Sequence, residues 1–263
     1  MIRLSISNIA WDASHDREVY RLMKELSYSG LEIAPTRIFP EAPYDRIAEA
    51  GEWAGDLKKE HGLSVPSMQS IWYGRKEALF GGEEERRILT DYTMKAIDFA
   101  EAVGCGNLVF GCPRNRNVPD GADPCSAVSF FRELGEYAGE HNTVLAMEAN
   151  PPIYNTNYIN DTAAALDLIE EAGSAGFLLN LDVGTMIENG EQVSVLEGRG
   201  HLINHVHISE PGLKVIEKRE LHKDLIAFLK ECGYDRYISI EMGKQDDLKI
   251  VENTMIYLAS LMG

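Results

Sequence analysis

Apolar and polar positions follow one repeating order along this chain: a short apolar run, a polar break, then a longer stretch with apolar residues at helical spacing. Residues 2–8 (I-R-L-S-I-S-N) alternate with period two and predict a strand. Residues 16–29 carry Val19, Leu22, Met23 and Leu26 three and four apart, which predicts a helix ending near Gly30. The same unit then recurs. Further strands are predicted over 31–34, 63–69, 107–110, 144–148, 177–182, 202–208 and 237–242. Further helices are predicted over about 43–61, 83–103, 125–141, 161–173, 218–232 and 246–261, and a loop with a modest helix over 184–200. Gly62 and Gly233 stand at helix ends, and Glu83, Glu84 and Glu85 open a helix with the charge that suits its N-terminus. Two breaks, 70–82 and 111–124, are longer than such connections usually are.

Eight strand–helix units without a hairpin signal favour a parallel sheet with crossover helices. An open doubly wound sheet would place a Gly-rich turn after its first strand, whereas S-N-I-A-W-D-A-S holds no glycine. The expected fold is α/β, a single (β/α)8 TIM barrel spanning residues 1–263 as one domain, with its active site at the C-terminal rim of the strands.

Composition narrows the function classes. A formal charge of −17 repels polyanions and argues against nucleic acid. No uncharged apolar stretch is long enough for a membrane span, and M-I-R-L-S-I-S is not a basic leader before an apolar run. Cys105, Cys112, Cys125 and Cys232 form no close pair and read as reduced thiols, so a cytoplasmic location is expected. A small-molecule partner remains, with a homodimer or homotetramer left open.

Four apolar runs end in a ligand-type residue: Glu148, Asp182, His207 and Glu241, spaced 34, 25 and 34 residues apart. In a barrel these ends converge on the active-site face. If all four face inward, so do the residues two before each: Ala146, Asn180, His205 and Ser239. Asn180, His205 and Ser239 are polar and suit a supporting layer beneath a metal site. Taken singly, an acid at a strand end is usually a loop acceptor or helix cap, and a histidine in an apolar strand a satisfied core residue. Taken together, three carboxylates in a partly dry cavity need a cation to stay ionised. One divalent ion held by Glu148, Asp182, His207 and Glu241 is expected. Mn²⁺ is favoured by the oxygen-rich set, with Mg²⁺, Co²⁺ and Zn²⁺ open.

The motifs A-M-E-A-N at 146–150, L-D-V-G-T-M at 181–186, H-V-H-I-S-E at 205–210 and I-S-I-E-M at 238–242 resemble the xylose isomerase-like TIM-barrel superfamily. That group includes sugar isomerases, the ketose 3-epimerases and the endonuclease IV branch. The resemblance implies that the same four residues are the single-metal ligands and that Glu148 and Glu241 are the catalytic pair moving a proton through a cis-enediolate. It thus implies an isomerase or epimerase of a sugar or cyclitol. A dehydratase or other lyase on the same ligands, and a non-catalytic sugar-binding barrel, are the rival readings. Three departures from the 3-epimerases bear on substrate: Thr185 stands for a histidine, Tyr154 for a glutamate and Leu213 for an arginine. The extra histidines of the endonuclease branch are missing where strands end in Glu32-Ile33-Ala34 and Gln69-Ser70. Substrate contacts are expected from Trp11 and Trp72 as aromatic planes, from Glu32, Gln69 and Asn150 to hydroxyls, from Arg114, beside Arg116, to an anionic group, and from His222. No Gly-rich phosphate loop follows 202–208, which favours an unphosphorylated substrate.

Overall fold

Strand and helix alternate through the whole chain, which a computed structural model describes over residues 1–263. The order is β1 (Arg3–Ser7), α1 (Asp16–Glu25), β2 (Gly30–Glu32), α2 (Pro35–Ile38), α3 (Ile47–His61), α4 (Glu83–Val103), β3 (Leu108–Phe110), α5 (Val128–Glu140), β4 (Leu145–Met147), α6 (Thr162–Ala172), β5 (Phe177–Asp182), α7 (Val183–Asn189), β6 (Ile203–Ile208), α8 (Glu220–Glu231), β7 (Tyr237–Ile240) and α9 (Leu248–Ser260). All paired strands are parallel, in the order β2-β1-β7-β6-β5-β4-β3. No helix is long and apolar enough to cross a membrane.

The sheet has seven strands, where eight are expected. Residues 63–69 form single bridges instead of a continuous strand: Gly30 with Ser64, Ile33 with Met68, and Met68 with Leu108. One segment thus touches both edge strands, so the sheet curls strongly back on itself in the manner of a TIM barrel. Pro66 lies in the middle of this segment and has no N–H to donate, which breaks the ladder there. The modest helix expected within 184–200 is present as α7. It stops at Asn189 because Gly190 takes a left-handed conformation (φ 67°), and short turns follow.

One apolar core of 62 buried residues is shared by the sheet and its helices; Phe131 of α5, for example, stacks on Phe177 of β5 at 4.9 Å. The inner face of the sheet is different. Ser5, Ser7, Glu32, Gln69, Asn107, Asn180, His205, His207 and Ser239 are all buried. Asn107 donates to Ser67 (3.0 Å), and Asn204 donates to Asn107 (2.8 Å). A purely structural barrel interior would hold branched aliphatics. Burying this many polar groups demands that they satisfy one another, and doing so fixes the side chains beneath the strand ends.

Candidate metal centre at the strand ends

The four strand-end residues converge. Glu148, Asp182, His207 and Glu241 each place one potential ligand atom within 4.8 Å of the others. Asp182 ends β5, and His207 lies in β6. Glu148 and Glu241 each follow a strand by one residue but stay in register through backbone N–H donation to Phe110 (3.1 Å) and Ile208 (3.0 Å). His207 Nδ1 lies 3.0 Å from Glu148 Oε1 and 3.3 Å from Glu241 Oε2. The two glutamates come from β4 and β7, with β5 and β6 between them, and so they approach the centre from different sides.

Three of the four, Asp182, Glu148 and His207, are held from behind. Asp182 accepts from Ser209 Oγ and, as cap of α7, from the Thr185 N–H (2.6 Å). Ser209 continues the 205, 207, 209 alternation, so extending the inward register by two would have found it. Gly184 comes close because a Cβ there would meet Ser209 Oγ at 2.9 Å. Asn180 donates to Glu148 Oε1 (2.8 Å), as expected of a supporting residue. His205 supports the site only indirectly, through Glu32, and Ser239 bonds Ser5 (3.3 Å) and none of the four.

Glu32, expected as a substrate contact, is turned to two histidines and Gln69. It is fully buried, with Oε2 at 2.8 Å from His207 Nε2 and 3.2 Å from His205 Nε2, and its Oε1 accepts from Gln69 (3.1 Å). The His205 contact is close but poorly aligned for a hydrogen bond. Glu32, His205 and His207 make a second potential ligand group, but at these hydrogen-bond distances they match a carboxylate that orients a histidine. With Nε2 turned to Glu32, His207 presents Nδ1 to the three carboxylates.

Arg116 shows a comparable arrangement behind Glu148. Its guanidinium is fully enclosed, donating to the Glu148 carbonyl (3.0 Å) and to Asn150 Oδ1 (3.0 Å). Asn150 must then turn its amide nitrogen to Glu148 Oε2 (3.2 Å). Both Glu148 oxygens are therefore positioned by amide donors. Burial pulls the Arg116 guanidinium down to about 10, which leaves it charged at neutral pH. Gly111 belongs to the same arrangement, since a Cβ there would stand 2.8 Å from Glu148 Oε2.

The electrostatics fit a cation. Burial, and then the charges of Glu148 and Glu241, push Asp182 up to about 7. Burial also raises Glu241, against the pull of His207. For His207, burial is outweighed by Glu32 and Glu241, which hold its proton well above the ordinary imidazole range. Protons at all three groups compete with a metal ion, so raising the pH favours the ion. Mn²⁺ affinity is expected to rise about tenfold or more between pH 6 and 8, with proton release on binding. Calorimetry in buffers of different ionisation enthalpy measures both, and pH-independent binding without proton release would refute the donor assignment.

A cavity of about 180 Å³ opens onto this centre, lined by the three carboxylates together with Gln69, Asn150 and Ser209 on the polar side. Gln69 and Asn150 therefore lie where the sequence reading expects substrate. Four other expected contacts do not line it. Trp11 is buried and donates to Asp16 (2.8 Å); Trp72 packs on Phe110 and donates to Thr93 (2.8 Å). His222 faces Tyr257 on α9 (3.0 Å) and is pushed down to about 4 by burial. Arg114 points to solvent on its loop. Val109, Cys112 and Pro113, which carry no chemical signal in the sequence, also line the cavity, as do Tyr154 and Leu213, two of the departures from the 3-epimerases. Thr185 is buried and bonded to the Ala149 carbonyl (2.8 Å).

Comparison with known proteins agrees with this layout. No curated protein sequence matches the chain. Among solved structures it is similar to 3-keto-D-glucoside 4-epimerase from E. coli, with TM-score 0.78, 20% identity, and 99% of this chain and 100% of that chain covered. It is also similar to D-psicose 3-epimerase with D-tagatose from Clostridium cellulolyticum H10, with TM-score 0.76, 14% identity, and coverage of 99% and 98%. AP endonuclease, family 2 from Brucella melitensis aligns with TM-score 0.74, 20% identity and 99% of each chain. Identities this low speak for the fold. The family model described as xylose isomerase-like TIM barrel matches residues 20–261, nearly the full length, and the chain therefore belongs to the xylose isomerase-like TIM-barrel family.

Proposed function

We propose that the protein is a divalent-metal-dependent isomerase or epimerase that moves a proton beside a carbonyl of a small, unphosphorylated sugar or cyclitol. The observation that carries this reading is the meeting of Glu148, Asp182, His207 and Glu241 within 4.8 Å at the strand ends. The two glutamates reach it from non-adjacent strands. The named activities of two similar structures, epimerases of a 3-keto-glucoside and of D-psicose, support the sugar chemistry. We read residues 63–69 as the eighth stave of one barrel domain.

Glu148, Asp182, His207 through Nδ1, and Glu241 would hold the ion, and three carboxylates with one imidazole favour Mn²⁺. Such an ion supplies a Lewis acid that offsets negative charge on two adjacent substrate oxygens. The proton is moved by the chain's own residues. One glutamate takes it from the carbon, and the other returns it to the opposite face of the planar cis-enediolate, which inverts that carbon. Return to the neighbouring carbon gives aldose–ketose isomerisation. Asn180 and Asn150 hold the Glu148 carboxylate in place for this transfer, and Glu32 does the same for the His207 ring. No lysine or arginine lines the cavity, which disfavours a phosphorylated substrate or a DNA backbone.

Incubating the Mn²⁺-loaded protein in D₂O with a panel of ketoses, keto-glycosides and inososes tests the reading. The expected result is an isomeric product carrying solvent deuterium at the inverted carbon. A product lighter by one water would replace this reading with a dehydratase on the same carboxylates. Neither exchange nor conversion across the panel would leave a sugar-binding barrel.

A further inference from the structure

The cavity lining is mixed. Besides the metal centre with Gln69, Asn150 and Ser209, it holds Val109, Cys112, Pro113, Tyr154 and Leu213. Tyr154 and Leu213 adjoin through Gly212 and offer few free hydrogen-bonding groups. The Tyr154 hydroxyl accepts from the Gly212 N–H (2.9 Å). The Leu213 N–H goes to the Glu210 carbonyl (2.9 Å), and its carbonyl accepts from the Gly243 N–H (2.8 Å). A substrate hydroxyl pressed against this pair would lose water with little in return, whereas an apolar group buried there gains from leaving water.

Ile153 and Val215, large hydrophobic residues left exposed at 49% and 39%, lie one and two positions from Tyr154 and Leu213.

We infer that the substrate is a neutral glycoside: a keto-sugar ring with two adjacent oxygens at the metal centre and an O-alkyl or O-aryl group laid on the Tyr154–Leu213 pair. This rests on the reading of the four strand-end residues as a sugar site. The strand-end carboxylates with Gln69 and Asn150 suit oxygens, and the adjoining Tyr154 and Leu213 favour a substituent that carries none.

Binding without turnover tests it. Mn²⁺-loaded Glu241→Gln protein is titrated by calorimetry with D-glucose, 6-deoxy-D-glucose and phenyl β-D-glucoside, and with D-galactose and phenyl β-D-galactoside as a second pair. The phenyl glycosides are expected to bind at least about tenfold tighter than the free sugars, given the area of a buried ring. Leu213 has φ 54°, a conformation that asparagine tolerates. Leu213→Asn should therefore fold while adding polar groups to the pair, and the phenyl preference should fall to within about twofold. Equal or tighter binding of the free sugars in both pairs would overturn the inference. So would an unchanged preference in Leu213→Asn, or a gain found with the 6-deoxy sugar and absent from the phenyl glycosides. Failure of the underlying reading is distinguishable, because it shows as absence of deuterium exchange with every sugar tested on the unsubstituted protein.

Discussion

Glu241→Gln and Glu148→Gln are each expected to lower turnover about 10³-fold, the usual scale of a lost general acid or base, while sugar binding survives in part. Glutamine keeps the shape and one oxygen donor but cannot exchange a proton at neutral pH. Both side chains are also expected metal ligands, so metal content must be measured alongside kcat; reduced occupancy and lost proton transfer are then told apart by saturating with Mn²⁺. The two variants should further differ in a readable way. Starting from one epimer labelled with deuterium at the reacting carbon, the variant that keeps the abstracting glutamate should release label to solvent without inverting the carbon. The other variant should do neither, and the roles should swap with the opposite epimer. This follows from the placement of the glutamates on β4 and β7 with two strands between them. Full kcat in either fully loaded variant would remove that residue from the proton path.

Loss of Glu32 should be felt in both metal binding and folding. Removing a support of this kind typically weakens metal affinity about 10–100-fold, and removing one partner of a buried ion pair costs about 3–5 kcal/mol. Glu32→Ala is therefore expected to show both effects, and Glu32→Gln a smaller loss of each. The charge itself is well placed. Burial opposes it, but His207 and His205 hold the Glu32 carboxyl well below the ordinary carboxylate range. The sign follows: a depressed carboxylate contributes stability above the unfolded value near 4, and that contribution disappears as pH falls through the folded value. The stability gap between the native protein and Glu32→Ala should hence be widest near neutral pH and close under acid. Denaturant midpoints followed from pH 7 down to about pH 2, with Mn²⁺ titrations at pH 7, measure all of this. Native-like midpoints and affinity in Glu32→Ala would show that His207 needs no such partner.

Much of this was legible along the chain. The strand–helix repeat, the parallel sheet and the convergence of Glu148, Asp182, His207 and Glu241 all follow from periodicity, because alternation along a strand fixes which residues share a face. Extending that alternation to Asn180 correctly placed a residue bonded to Glu148, and extending it further would have reached Ser209. The backbone shortfall is also local: Pro66 interrupts the segment expected as a strand.

Side chains in the loops after the strands were another matter. Trp11 and Trp72 follow strands closely, as sugar platforms would, yet each finds an acceptor on a neighbouring helix, Asp16 or Thr93, and turns into the packing. Arg114 and Arg116 are two positions apart on one polar loop; one is exposed and the other wholly enclosed behind Glu148. Glu32 read as a polar strand end, and only the neighbouring strands decided that it would meet two imidazoles. The sequence by itself determined the repeat, the face of each strand and thereby the four converging residues, since backbone periodicity is a property of short segments. The tertiary structure alone decided which loop side chains border the cavity and which charges are buried, since those outcomes depend on partners supplied by distant parts of the chain.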